Sequence, residues 1–211
     1  MKKILVLFVA LLIGCSEDST GPTGSSGSAG EILPLTVGNT WEYEQAYINP
    51  FDQTADKDTI SLSVYDSTMR QDSIMIYYAT DGAVVYNDAS GLWSANEIDN
   101  AQSSLLAKYP GYSGEIFNRI TVYAGDGDSA SAKVRIESTS HLAKVPAGSF
   151  ICYKYTADYI SKQTGKTVQR INAYYAPNIG LVKQEGYFVI DTKGTLGLII
   201  ERKLLSYSII H

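Results

Sequence analysis

Histidine and cysteine are nearly missing from this chain, with two of each among 211 residues. The histidines are His141, expected in a loop before the Pro146-Ala147-Gly148 turn, and His211, the last residue, where chains are usually poorly held. A nucleophilic relay needs a well-placed imidazole, and no serine stands in a Gly-x-Ser-x-Gly elbow, so hydrolase chemistry is not expected. Paired carboxylates for glycoside chemistry depend on spatial separation, and nothing in the sequence singles out a pair. The chain therefore reads as a non-enzyme. Cys15 and Cys152 are the only thiols, too few with two histidines for a zinc site, and no cofactor is expected. Basic charge is also scarce: 17 Lys and Arg face 22 Asp and Glu, for a net charge of −5. Without a basic cluster the chain is a poor partner for nucleic acid. Long apolar runs are absent as well. The longest, Ile4 to Ile13, is half of the roughly twenty residues a spanning helix requires.

That short run sits in an informative place. Lys2 and Lys3 precede it, as in the charged n-region and apolar h-region of a signal peptide. Leu12-Ile13-Gly14-Cys15 follows, and it resembles the lipobox of bacterial lipoproteins rather than an Ala-x-Ala cleavage site. The resemblance implies cleavage after Gly14 and lipid on Cys15, with a membrane as partner. Two or three acyl chains would hold stably where one is marginal. Residues 1–14 are thus expected to be a lipoprotein signal peptide. Residues 15–31 then read as a lipid-anchored tether, since Ser16 to Gly30 hold no large apolar side chain and cannot build a core. A random coil of that length spans about 20 Å. Ser16, rather than Asp, after the cysteine favours outer-membrane sorting under the enterobacterial rule. The expected location is the bacterial cell envelope, at the outer membrane, with the periplasmic or surface face left open.

Residues 32–211 read as one β-rich domain. With Cys15 lipidated, Cys152 has no partner, so this domain must stand on packing. Alternation of period two dominates. Trp41, Tyr43, Gln45 and Tyr47 share one strand face, opposite Glu42 and Glu44. Ile60, Leu62 and Val64 alternate with polar neighbours, as do Ile74, Ile76 and Tyr78, then Ile120 with Val122, and Val134 with Ile136. Ile151, Tyr153, Tyr155, Ala157 and Tyr159 form another face, and Leu181–Ile190 and Leu196–Ile210 flank an Asp191-Thr192-Lys193-Gly194 turn. Only Ile98, Ala101, Leu105 and Tyr109 have helical spacing, in a short window that ends at Pro110. The expected fold is all-β: an antiparallel meander of about ten strands with at most a short helix. A sheet this long must coil into a half-open barrel or a curved sandwich.

Three segments carry marked turn chemistry: Leu33-Pro34-Leu35-Thr36-Val37-Gly38-Asn39-Thr40-Trp41-Glu42-Tyr43, Val145-Pro146-Ala147-Gly148-Ser149-Phe150 and Tyr174-Tyr175-Ala176-Pro177-Asn178-Ile179-Gly180-Leu181-Val182-Lys183. In this order they resemble a family of uncharacterised bacterial lipoproteins and secreted proteins, TapB-like, with PLxVGNxWxY, VPAGxF and YYAPxxGLVK motifs. The resemblance runs from Leu33 to about Tyr207. It implies a β-rich fold, such as the open barrel of lipoprotein carriers, and brings no activity.

Two features remain to be weighed as sites. Asp126-Gly127-Asp128-Ser129 puts carboxylates at i and i+2, but calcium takes six to eight oxygens and the next acid is Glu137. A solvated hairpin loop is the expected reading, with no metal. Tyrosine is the anomaly, 16 against 5 phenylalanines. Its strand propensity accounts for much of this, and its polar tip also suits a wet pocket or a glycan platform. Trp41, Tyr43, Tyr153, Tyr155 and Tyr174 are the candidate ligand-binding residues. Two functions stay open: a module holding an apolar or amphiphilic ligand in its concavity, or a structural or adhesive surface protein that binds a protein or glycan.

Overall fold

The computed structural model describes residues 31–94, 103–125 and 128–210, the side chains of 118–125 and 128 excepted. The alternating segments become twelve strands: β1 (Thr40–Ile48), β2 (Ala55–Met69), β3 (Met75–Ala79), β4 (Val84–Asp88), β5 (Gly91–Ser94), β6 (Ser104–Lys108), β7 (Ile116–Gly125), β8 (Asp128–Val145), β9 (Gly148–Ser161), β10 (Thr167–Ala176), β11 (Gly180–Val189) and β12 (Leu196–Ser208). Among the described residues there is no helix. The sheet order is β6-β5-β4-β3-β2-β1-β12-β11-β10-β9-β8-β7, and among the described residues every strand pairing is antiparallel. Two six-strand meanders are therefore joined through β1 and β12. The outer strands β6 and β7 come together without sharing a ladder, which leaves a nearly closed barrel and settles barrel against sandwich.

The two strands beyond the expected ten are β5 and β6. Ile98 and Ala101 lie outside the described residues, but Leu105 stands in β6, paired with Trp93 of β5. The helix-like spacing is overruled there because a short apolar run fits either period, and pairing with β5 decides. His141, expected in a loop, lies in β8 opposite Cys152 of β9. Residues Asp126 and Gly127 of the acidic loop are outside the described residues, as are the leader, Cys15, the tether before Glu31 and His211.

The turns follow the chemistry of the motifs. Pro146-Ala147 joins β8 to β9, with Gly148 at φ 138° directly after it. Pro177-Asn178-Ile179 joins β10 to β11, and Asn178 takes the left-handed conformation at φ 59° that asparagine tolerates. Gly38, at φ 101°, lets the chain turn into β1 where a Cβ would lie 2.5 Å from Ile210 Cδ1. Asn39 beside it is fully buried: its Nδ2 donates to Pro34 O at 3.0 Å and its Oδ1 accepts from Ile210 N at 2.9 Å. One side chain thus ties the entry segment to the end of the chain.

That entry segment closes one end of the barrel. Ile32, Leu33 and Leu35 are buried in the main core. The segment is strung across the opening: Asn178 N donates to Glu31 O at 2.8 Å, and Asn87 Nδ2 donates to Leu33 O. Because β4 and the β10–β11 turn lie on opposite sides of the strand order, the segment crosses the lumen. The tip of the β8–β9 hairpin folds to the same end, where Ala147 N donates to Leu204 O at 3.1 Å and Phe150 packs on Tyr207.

Candidate ligand-binding site

Registers through β10, β11, β12 and β1 stack the inward residues into three rows. The row nearest the plugged end is Tyr175, Leu181, Leu204 and Tyr43. The middle row is Ala173, Gln184, Arg202 and Gln45. The row toward the other end is Ile171, Gly186, Ile200 and Tyr47. Polar side chains in a middle row between apolar ones run against the usual sorting of a core.

Arg202 is the centre of that row. It is 5% exposed, and among the described residues no carboxylate forms an ion pair with it. Its Nε and Nη2 both donate to Gln45 Oε1, at 3.2 and 2.6 Å, and its guanidinium lies 5.8 Å from the Tyr43 ring centroid. Nη1 is buried with no hydrogen-bond partner, and so is Oε1 of Gln184, which faces Arg202 across the β11–β12 ladder. Burial pulls the guanidinium below its ordinary value, against the weaker pull of the Tyr43 ring and the Asp81 carboxylate. Asp81, in the β3–β4 turn, is exposed as a residue, yet its carboxyl is held above the usual range by desolvation. Arginine keeps its charge through a shift of this kind. A charged donor facing the barrel interior is thus left partly unsatisfied, a state native cores rarely tolerate.

Burial is graded along the barrel. Trp41, Tyr43, Leu181 and Leu204 at the plugged side are fully sealed, while the Arg202 and Ile171 rows admit slight exposure and Tyr47 reaches 46%. Ile200, next above Arg202 on the same face of β12, is 3% exposed, so the described residues around Arg202 close over it and exposure rises only at Tyr47. Gln45 Nε2 donates to the Tyr47 hydroxyl at 2.6 Å, linking the middle row to that mouth.

Of the aromatic candidates, Trp41, Tyr43 and Tyr155 lie in the main core, with Tyr153 packed against it. Tyr43 donates to Leu181 O at 2.9 Å and Tyr155 to Lys108 O at 2.8 Å, so both hydroxyls brace the barrel. Tyr153 packs edge-on to Tyr109 and stacks with Tyr155. Tyr174 is elsewhere. Tyr174 and Tyr175 are both buried, and the alternation of β10 sends them to opposite faces, Tyr175 in step with Ile171 and Ala173, while the neighbouring bulge lies on β11 at Val182. Tyr175 enters the lumen, while Tyr174 joins Ala143, Cys152, Ala176 and Val182 in a second cluster outside it. There Tyr174 lines a shallow hollow of about 310 Å³ with His141, Lys144 and Lys183, and donates to Glu185 Oε2 at 3.1 Å.

Sequence reasoning missed Arg202, Gln184 and the role of Gln45. Glu201-Arg202-Lys203 reads as a solvated charge run, yet Glu201 and Lys203 do bridge on the outer face while Arg202 points in. The available signal was parity: Ile200, Arg202 and Leu204 occupy alternate positions of one face.

The fold and this row define an antiparallel barrel, plugged at one end, with a buried cation in its interior. A DUF3108-like family model matches residues 127–197, which contain the Pro146 and Pro177 turns but not the Gly38-Asn39 entry. Among solved structures, one from Bacteroides fragilis, described as an exported protein with a YmcC-like fold, is 18% identical with a TM-score of 0.43; the match covers 85% of this chain and 100% of that one. Another, described as a lipoprotein from Parabacteroides distasonis, is 17% identical with a TM-score of 0.44 over 86% of this chain and 100% of that one. No curated protein matches the chain significantly.

Proposed function

We propose that this chain is a lipid-anchored protein of the bacterial cell envelope, held at the outer membrane through Cys15, whose barrel receives an amphiphilic ligand. The observation that carries the ligand reading is the buried Arg202 row, with donor and acceptor atoms unmet by the protein and apolar rows on both sides. An amphiphile supplies what such a lumen asks for, a polar end for the row and an apolar body for its walls. The leader and the lipobox-like Leu12-Ile13-Gly14-Cys15 support the anchor.

The protein acts here by binding and not by catalysis. His141 packs on the Tyr174 ring at 5.1 Å, and Cys152 is sealed, its thiol pushed up to about 12 by burial. The adhesive alternative asks for a contiguous aromatic patch. The exposed large apolar side chains form small separate groups instead: Phe51 in the β1–β2 turn, Tyr65 and the Met69–Met75 pair on β2 and β3, Tyr112 between β6 and β7, and Leu142 beside Ile151 on the β8–β9 hairpin.

Two measurements test this reading. Cell fractionation should place the native protein with membranes, and a form with an ordinary secretory leader and Cys15→Ala should be free of them. Solvent extraction of that secreted form, purified without detergent, should yield a lipophile at near-stoichiometric amount by mass spectrometry. A secreted form that still sediments with membranes would refute the anchor, and an empty extract would refute the ligand reading.

A further inference from the structure

The ligand's polar end has a chemistry that the middle row specifies. Resting on the amphiphile reading above, we infer that Arg202 and Gln184 receive a carboxylate, so that the ligand is a long-chain monocarboxylic acid with its head at mid-depth and its chain toward the Tyr47 mouth.

The charge count points to a monoanion. Among the described residues the buried cations are Arg70 and Arg202. Arg70 is bound at 2.8 Å to Asp72 beside Tyr86, outside this row, so Arg202 is the row's one buried cation; Asp81, the carboxylate whose field reaches it, makes no ion pair with it and is pushed toward its neutral form by desolvation. One guanidinium balances one negative charge. A phosphomonoester would bring close to two into a site with nothing to balance the second. Shape points the same way. Gln45 occupies Nε and Nη2, which leaves Nη1 as the free prong, and a flat carboxylate can approach a guanidinium edge. Gln184 faces that edge, and its amide can present oxygen to a protonated head or, turned over, nitrogen to an ionised one.

The walls dictate where the chain goes. Below the row the core is sealed by Tyr43, Leu181, Leu204 and the entry segment, so no chain passes that way. Above it stand Ile200, Ile171 and Gly186, and on β8 and β9 the inward residues are mixed in size, Ala130, Ala132 and Ala157 standing with Val134 and Tyr159. From Arg202 to the start of β12 at Leu196 the strand runs on the order of 20 Å. That is a wall of acyl-chain length, ending where the residues become partly exposed.

The test uses the secreted full mature chain with Cys15→Ala, stripped of lipid, and two fluorescent probes: cis-parinaric acid and its methyl ester. The acid should bind saturably at one per barrel, and the ester should bind about 10- to 100-fold more weakly, the worth of a charged hydrogen bond. Arg202→Met should erase the acid's advantage while the ester's affinity stays within about threefold, with circular dichroism confirming the sheet. Arg202→Lys, which keeps charge but loses the planar fork, should retain part of it. Equal binding of acid and ester to the unmutated protein would overturn the carboxylate assignment and leave the amphiphile reading standing. Displacement of the probe by phosphatidylglycerol but not by oleate would overturn it in favour of a phosphodiester head. Binding of neither probe would overturn the assignment, and extraction then decides the broader reading separately.

Discussion

Replacing Arg202 with methionine and Gln45 with leucine together should make the unliganded barrel more stable. Arg202 is buried with no ion-pair partner, and its bonds to the protein both end on one oxygen, Gln45 Oε1. Removing such a cation from water costs several kcal/mol even after relaxation. Against this stand charged hydrogen bonds of about 1.5–3 kcal/mol, not independent because they share an acceptor, and a ring contact of about 1–2 kcal/mol. The lowered value of the guanidinium has the matching sign: the fold holds the charged form less well than water does, so Arg202 as a cation favours unfolding. Exchange of buried ionic groups for apolar ones of similar size is commonly neutral or gains about 1–4 kcal/mol. For a domain of this size a gain of about 1–3 kcal/mol raises the thermal midpoint by about 2–10 °C. The single change Arg202→Met should gain less, because it strands Gln45 Oε1 in the core. Thermal unfolding followed by circular dichroism on lipid-stripped secreted protein measures both. A fall of more than about 5 °C in the double variant would refute the reasoning, since Arg202 would then be a structural keystone and not a site held open at a cost.

Other residues give sharper structural tests. Asn39→Ala strands Pro34 O and Ile210 N where both are tied to the plug, and should cost about 2–4 kcal/mol in urea unfolding; a loss under 1 kcal/mol would mean the segment closes the barrel without it. On the outer face, burial raises Glu185 and Glu201, but Lys183 and other donors outweigh it and hold both below the ordinary 4.5. Carboxyls depressed by folding add stability above their unfolded value and lose it as pH falls through the folded one. The thermal midpoint should therefore drop between about pH 5 and 3, and Lys183→Met should flatten that slope. Cys152, sealed and pushed up to about 12, should resist a thiol reagent in the native secreted form and react fully once unfolded; prompt native labelling would show that the second cluster opens.

Much of this barrel was legible because most strands announce themselves by alternation and the turns by glycine, proline or asparagine, whereas the short β5 and β6 carry no such pattern. The hairpins at Gly82, Pro146-Ala147 and Pro177-Asn178 fall where their residues place them. What stayed hidden depended on register and bulges. On β11 the extra residue Val182 breaks the alternation, so Leu181 and Gln184, three apart, both stand in the inward rows, and no local pattern shows that break. Leu33 and Leu35 were visible as the start of a motif, but their service as a plug rests on Asn87 and Asn178, far away in the chain. Closure through β1 and β12 likewise joins residues more than 150 positions apart, such as Gln45 with Arg202, and local patterning carries no trace of that pairing. The interior charge was therefore the least readable feature and became the most informative one.

The central claim is that Arg202 meets the head of a fatty acid inside the barrel. Its most direct test is the side-chain spectrum of arginine-labelled secreted protein during titration with oleate. The expected result is that the Arg202 Nε–H resonance, assigned by its loss in Arg202→Met, shifts saturably at one equivalent while those of exposed Arg135 and half-buried, Asp158-paired Arg170 stay in place. An unmoved Arg202 resonance in the presence of bound oleate would contradict it.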